Sequence, residues 1–199
     1  MKYRCNDYNE DNIIYRECVF IDKNTFDIEV ADDSIIDLDD VPEDKFICDI
    51  LIAPLISKMN KKGYKTMFCC QGHLDEFKDE DGEVYRSCIP LYIMFEAGDN
   101  LDKYIDYLFK LPRQFDVRID RRMTETYEKE IEVTYNNPEK ICPENKRISI
   151  YSSLPYMYSD EIDDIDPDSI SIEEFNNYNN KDLKHLTDWV NDLPDLIKI

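Results

Sequence analysis

The segment from residue 62 to residue 73 reads Lys62-Gly63-Tyr64-Lys65-Thr66-Met67-Phe68-Cys69-Cys70-Gln71-Gly72-His73. It holds two of the chain's four glycines and three side chains that serve as metal ligands or nucleophiles. Gly63 follows an apolar run that ends in lysines. Glycine is favoured at the left-handed position that closes a helix. Residues 66–70 then have strand character, and a polar turn presents Gln71, Gly72 and His73. The pattern predicts a helix, a strand and a polar turn, in that order.

The flanking sequence predicts a mixture of helices and strands. Alternating residues indicate a hairpin of strands 12–21 and 25–30, and further strands at 84–89, 91–96, 115–120, 131–135 and 147–151. Apolar spacing predicts a first helix over about 43–62, kinked by Pro54, and a second over 100–111. A capping box of Ser171 and Glu174 starts a last helix, which we expect 176–180 to interrupt. We therefore predict one α+β domain, residues 1–199, with helices packed on a mainly antiparallel sheet.

The charge of the chain is strongly negative and unevenly distributed. The net charge is -21, and acids concentrate at about 31–45 and 160–174. Such a field repels nucleic-acid phosphates and attracts proteins with basic surfaces, so we expect a basic protein partner and no direct nucleic-acid binding. The predicted partner-binding residues are Asp32, Asp33, Asp37, Asp39, Asp40, Asp160, Glu161, Asp163, Asp164 and Asp166.

The cysteines indicate a reduced, cytoplasmic protein. There are seven, an odd number without C-x-x-C spacing, and no apolar signal peptide precedes them. No run of about 18 apolar residues is present, so we expect no membrane association. The chain also lacks a phosphate-binding glycine loop, an H-E-x-x-H helix and a G-x-S-x-G elbow, which excludes the common enzyme families that depend on them.

Cys69, Cys70 and His73 raise the question of a metal or nucleophilic site. Zinc prefers such ligands, but adjacent strand residues point to opposite faces, so Cys69 and Cys70 are not expected to bind one ion together. His73 could activate Cys70 as a nucleophile, yet the nearby acids favour the neutral thiol. We therefore predict no metal and no cofactor, and interpret the segment chiefly as a determinant of the fold.

The turn remains the best candidate for contact with a ligand. The predicted ligand-binding residues are Cys70, Gln71, Gly72, His73 and Arg118. Arg118 is included because it lies in a short basic cluster and could supply an anion site beside the turn. The alternative is that this cluster neutralises the abundant carboxylates of the chain.

Residues 59–66 together with Cys69-Cys70-Gln71-Gly72-His73 resemble small uncharacterised proteins of Gram-positive bacteria and their phages. Those proteins carry an N-x-K-G-Y-x-T-x-x-C-x-G-H-like core, and many end in a helix similar to residues 189–194. More distantly, the helix, strand and turn resemble the start of the wybutosine-synthesis tRNA methyltransferase family, whose turn reads S-C-S-G-R. Cys70 and Gly72 match that turn, whereas His73 stands in place of its arginine. The second resemblance implies a nucleotide- or S-adenosylmethionine-binding domain.

Two functional hypotheses follow. The first is an acidic interaction protein, encoded by a phage or mobile element, that binds and inhibits a basic host protein of defence or nucleic-acid handling. The alternative is a small enzyme or nucleotide- or S-adenosylmethionine-binding domain with its site at the turn from Cys70 to His73. The charge distribution favours the first hypothesis.

Overall fold

The structure is a computed structural model that describes residues 1–6, 13–30, 34–78, 82–96, 107, 110–111, 115–121, 131–132, 146–152 and 170–196. It confirms an α+β fold with mainly antiparallel sheets. Most of the predicted helix at 100–111 lies outside the described residues. None of the described helices is long and apolar enough to cross a membrane.

The first sheet is built around one long strand. Its strands are β1 (Lys2–Asn6), β2 (Ile13–Asp22), β3 (Ile28–Glu29), β4 (Ile35–Ile36) and β5 (Lys45–Asp49). The first half of β2 pairs with β1, and its second half pairs with both β3 and β5. The predicted hairpin is thereby confirmed, with Ile21 opposite Ile28. Only the short pairing of β1 with β4 is parallel among the strands described.

The second sheet has the order β11-β10-β12-β9-β6, and all of its pairings are antiparallel. Its strands are β6 (Thr66–Cys70), β9 (Tyr92–Glu96), β10 (Phe115–Arg121), β11 (Ile131–Glu132) and β12 (Lys146–Ser152). A separate hairpin pairs β7 (His73–Lys78) with β8 (Val84–Ile89). The predicted polar turn is therefore limited to Gln71 and Gly72, because residues 73–78 pair with β8.

The first helix is shorter than predicted. Helix α1 covers Ala53–Lys61, and a 3-10 turn covers Leu38–Asp40. The prediction of a helix from 43 was wrong because residues 45–49 pair with β2, with Cys48 opposite Val19. This long-range pairing overrides the local spacing of apolar residues. Pro54 does not kink the helix, since it stands in the first turn, where its missing N–H is not needed.

The last helix, α2, runs without interruption over Ile172–Asp192. Its predicted capping box is confirmed, because the Ser171 hydroxyl accepts from Glu174 N and the Glu174 carboxylate accepts from Ser171 N. The interruption expected at 176–180 was wrong. Asn179 and Asp182 are buried against the rest of the domain, and this packing stabilises helix in a stretch of weak helix formers.

One hydrophobic core joins both helices to both large sheets. Its members include Ile21 of β2, Met59 of α1, Phe95 of β9 and Leu186 of α2. Lys62, directly after α1, donates to the carbonyl oxygens of Val190, Asn191 and Leu193 at the end of α2. Gly63 follows with φ +95°, as predicted for the residue that closes the helix. These contacts set β6 beside β5 and bring the turn after β6 against α2.

Candidate functional site at the Cys70 to His73 turn

Strand β5 of the first sheet contacts strand β6 of the second, and each strand presents neighbouring residues to opposite faces. On one face Cys48 and Cys69 have their sulfur atoms 3.6 Å apart. On the other face Cys70 lies with Asp49 and with His73, the first residue of β7. The geometry agrees with the prediction that Cys69 and Cys70 do not face one site, and it adds a residue that was not among the predicted ligand-binding residues.

That residue is Asp49, which completes a cluster of three possible metal ligands. One ligand atom from each of Asp49, Cys70 and His73 lies within 4.8 Å of the others. The His73 Nε2 atom is 3.2 Å from Asp49 Oδ2. The Asp49 and His73 side chains are only 5% and 12% exposed, so the cluster lies just below the surface. An oxygen, a sulfur and a nitrogen donor in one place form a set that zinc commonly binds.

Hydrogen bonds from three directions hold the Asp49 carboxylate. Tyr3 OH donates to Oδ1 at 3.2 Å, while the Gln71 backbone N donates to Oδ2 at 3.1 Å. Burial alone would raise the pKa of Asp49, but the hydrogen bond and charge of His73, with those from Gln71 and Tyr3, outweigh it and lower the pKa. Asp49 is therefore ionised at neutral pH.

Cys70 is a thiol, not a thiolate, in the metal-free protein. Burial, followed by the nearby charge of Asp49, raises the pKa of Cys70 to about 12. The backbone N of Gly72 donates to its sulfur at 3.4 Å, which opposes the rise. Such a cysteine is a poor nucleophile by itself, and it binds a metal only by releasing its proton.

The turn is fixed at both of its residues. Gln71 Oε1 accepts from the backbone N of Leu51 at 2.9 Å. Gly72 has φ +87°, and a Cβ atom there would lie 2.7 Å from Asn179 Oδ1 of α2 and 3.0 Å from the backbone N of Leu91. Only glycine fits this position without displacement of its neighbours, so α2 packs directly on the turn.

The predicted ligand residues separate into two places. Cys70, Gln71, Gly72 and His73 are contiguous and surround the Asp49 carboxylate. Arg118 lies on β10. The register runs across the sheet from Arg118 to Ser149 of β12, then to Met94 of β9 and finally to Phe68 of β6. Three strand spacings put the backbone of Arg118 roughly 14 Å from β6. The participation of Arg118 in this site therefore has no support from the arrangement of the strands, and its role in ligand binding stays a prediction.

The predicted partner-binding residues fall mostly outside the described part of the chain. These are Asp32, Asp33, Asp160, Glu161, Asp163, Asp164 and Asp166. The other three, Asp37, Asp39 and Asp40, are exposed at the 3-10 turn. Leu38 lies between them and is 60% exposed.

Asp49 was missed because its strand was interpreted as part of a helix. A signal was nevertheless present, since Asp49 is the single acid in the apolar run Phe46-Ile47-Cys48-Asp49-Ile50-Leu51-Ile52. A carboxylate in such a run is either paired or functional. Comparisons with models of known protein families, with curated proteins and with solved structures give no match to this chain.

Proposed function

We propose that this protein is a small metal-dependent enzyme or ligand-binding domain that binds a zinc-type divalent ion through Asp49, Cys70 and His73. The observation that carries the proposal is the approach of their three ligand atoms to within 4.8 Å of one another. Three protein ligands leave one position of a tetrahedral ion for water or substrate, as in catalytic zinc sites. The proposal replaces our expectation that the chain binds no metal, which was made without Asp49.

The separation of the nitrogen and oxygen ligand atoms fits a shared ion. In a tetrahedral site with bond lengths near 2.0 Å, a nitrogen and an oxygen ligand lie about 3.3 Å apart. His73 Nε2 and Asp49 Oδ2 are 3.2 Å apart. The ion would therefore replace the direct hydrogen bond between these two side chains with little movement of either.

The surrounding contacts also suit a metal centre. Tyr3 donates to the Asp49 oxygen that faces away from His73, and such outer contacts orient a carboxylate ligand. The backbone N of Gly72 donates to the Cys70 sulfur, which stabilises a thiolate once the proton has left. Because Cys70 starts as a thiol, metal binding releases a proton and tightens as the pH rises.

Cobalt(II) and zinc titrations of chelator-treated protein test the proposal. Cobalt bound to a thiolate in a tetrahedral site gives visible and near-ultraviolet absorption, and calorimetry in two buffers counts the proton released by zinc. We expect one ion per chain, and a loss of affinity of at least about a hundredfold in Cys70→Ser and His73→Gln. The matched control is Cys69→Ser, the adjacent cysteine on the opposite face, which is expected to bind as the wild type does.

Two results would refute the metal site. One is a wild-type protein that binds neither ion at micromolar concentration. The other is a Cys69→Ser variant that loses as much affinity as Cys70→Ser, since this would show that the effect reflects disturbed folding. Tyr3→Phe gives a finer test, with an expected loss of roughly tenfold for an outer contact.

A second candidate function is supported by the exposed 3-10 turn. We propose that the chain, encoded by a phage or mobile element, engages and inhibits a basic host protein in the cytoplasm through Asp37, Asp39 and Asp40. The exposed Leu38 at their centre offers an apolar contact within this charged surface. Electrostatic attraction brings such partners together, and the apolar contact holds them.

A charge-matched pair of variants tests the second candidate. Asp37→Asn/Asp39→Asn/Asp40→Asn removes three charges at the turn, and Glu173→Gln/Asp188→Asn/Asp192→Asn removes three exposed charges from α2. At low salt, host proteins retained by the wild type should be lost from the first variant and kept by the second. Equal retention by both variants would contradict a specific acidic surface.

A further inference from the structure

A cleft opens on the face of β6 opposite to the Asp49, Cys70 and His73 cluster. Its volume is about 530 Å³, within the range of sites that hold small molecules. Phe26, Phe46, Met67 and Phe68 supply much of its apolar lining. Phe68 is 55% exposed, which is unusual for an aromatic ring that serves only the fold.

The charge of this cleft is opposite to that of the chain as a whole. Lys23 and Lys65 line it, and none of the described residues that line it is acidic, although the chain contains 45 acids. Lys23 Nζ donates to the backbone O of Glu43 at 2.7 Å. An ammonium group has three donors, so this contact leaves capacity for an anion.

The walls of the cleft are held firmly. Phe26 has φ +58°, which a bulky residue adopts only under constraint. Its backbone O accepts from Ser57 Oγ at 2.6 Å, and its N donates to Asp22 O at 2.9 Å. Strained residues of this kind are concentrated at ligand sites. On the opposite side, the buried Asn60 amide bonds to both the backbone N and the hydroxyl of Thr66.

We propose that this cleft binds a small amphipathic carboxylate, with its apolar body against the phenylalanines and Met67 and its carboxylate at Lys23 and Lys65. A single negative charge is favoured over a doubly charged phosphate head, because the net charge of -21 opposes each added negative charge. The volume suits a small molecule. The inference is independent of the proposed metal site, since the cleft is lined by Cys69 and not by Cys70.

Calorimetric titration with decanoate and with the neutral analogue decanol tests the site. Decanoate is expected to bind more tightly than decanol by roughly threefold to tenfold, the contribution of charge-assisted contacts at a partly exposed site. Lys23→Gln and Lys65→Gln should each weaken decanoate binding within that range and leave decanol binding unchanged. Lys181→Gln, on the exposed face of α2, removes the same charge elsewhere and should change neither affinity.

A matched pair of variants tests the apolar part of the cleft. Phe68→Ser should weaken both probes, whereas Val84→Ser, which replaces a comparably exposed residue of β8, should weaken neither. The proposal is overturned if neither probe binds, if decanol binds as tightly as decanoate, or if both lysine variants match the wild type. Cys70→Ser should retain decanoate binding, so failure of the metal site and failure of the cleft are distinguishable.

Discussion

Replacement of Gly72 by alanine tests how the turn is fixed against α2. Gly72 has φ +87°, and an alanine there carries a conformational cost of about 1–2 kcal/mol. The added Cβ would also lie 2.7 Å from Asn179 Oδ1 and 3.0 Å from the backbone N of Leu91. Relief of such overlap in a packed region adds about 1–3 kcal/mol. We therefore expect Gly72→Ala to lower the free energy of unfolding by about 2–5 kcal/mol.

Gly82 provides a matched control for the conformational part of this cost. Its φ is +81°, and a Cβ there would have no neighbour within 4 Å. Gly82→Ala should therefore lose only about 1–2 kcal/mol. Urea unfolding followed by fluorescence of Trp189, the single and buried tryptophan, measures both variants.

The difference between the two glycine variants isolates the packing of the turn on α2. Equal losses for Gly72→Ala and Gly82→Ala would refute the reasoning. A second check is the double variant Gly72→Ala/Asn179→Ala, which removes the closest atom to the new Cβ. It should be more stable than the sum of the two single losses predicts, because the closer of the two overlaps no longer exists.

Three further outcomes are expected. The pKa of Asp49 is lowered in the folded protein, so its ionised form stabilises the fold at pH values above 3.8, the ordinary pKa of the group. The wild type should therefore exceed Asp49→Asn in unfolding free energy at neutral pH, and this difference should shrink as the pH falls below 3.8. In metal-free protein at pH 8, iodoacetamide should modify Cys70 at least about tenfold more slowly than an ordinary thiol, measured by mass spectrometry, because burial raises its pKa to about 12 from 9.0 and leaves little thiolate. Arg16→Met should cost about 1–3 kcal/mol in urea unfolding, because it removes the guanidinium that lies 2.7 Å from the partly buried carboxylate of Asp75; a loss below about 0.5 kcal/mol would contradict this.

Local patterns in the sequence were enough to predict the elements around the turn. Gly63 closes α1, residues 66–70 form β6, and the Ser171 capping box starts α2. Each of these depends on residues that are close in the chain, such as a glycine at positive φ or a hydroxyl three residues before a backbone N. The separation of Cys69 from Cys70 follows equally from the alternation of a strand.

The errors arose where distant residues decide the conformation. Residues 45–49 have an apolar spacing that also fits a helix, and their pairing with β2 makes them a strand. Residues 176–180 contain weak helix formers, and burial of Asn179 against the turn keeps them helical. Neither contact can be found from a local period, because the partner lies far away in the sequence.

The sequence by itself determined that Cys70, Gln71, Gly72 and His73 form a compact polar turn after a strand. Only the tertiary structure decided what this turn faces, since Asp49 reaches it from β5, a strand more than twenty residues earlier. The neighbouring cysteines Cys48 and Cys69 contact each other on the opposite face, where Cys69 lines the cleft. A site assembled from strands of two different sheets depends on how those sheets pack around the common hydrophobic core, and neither strand alone determines this.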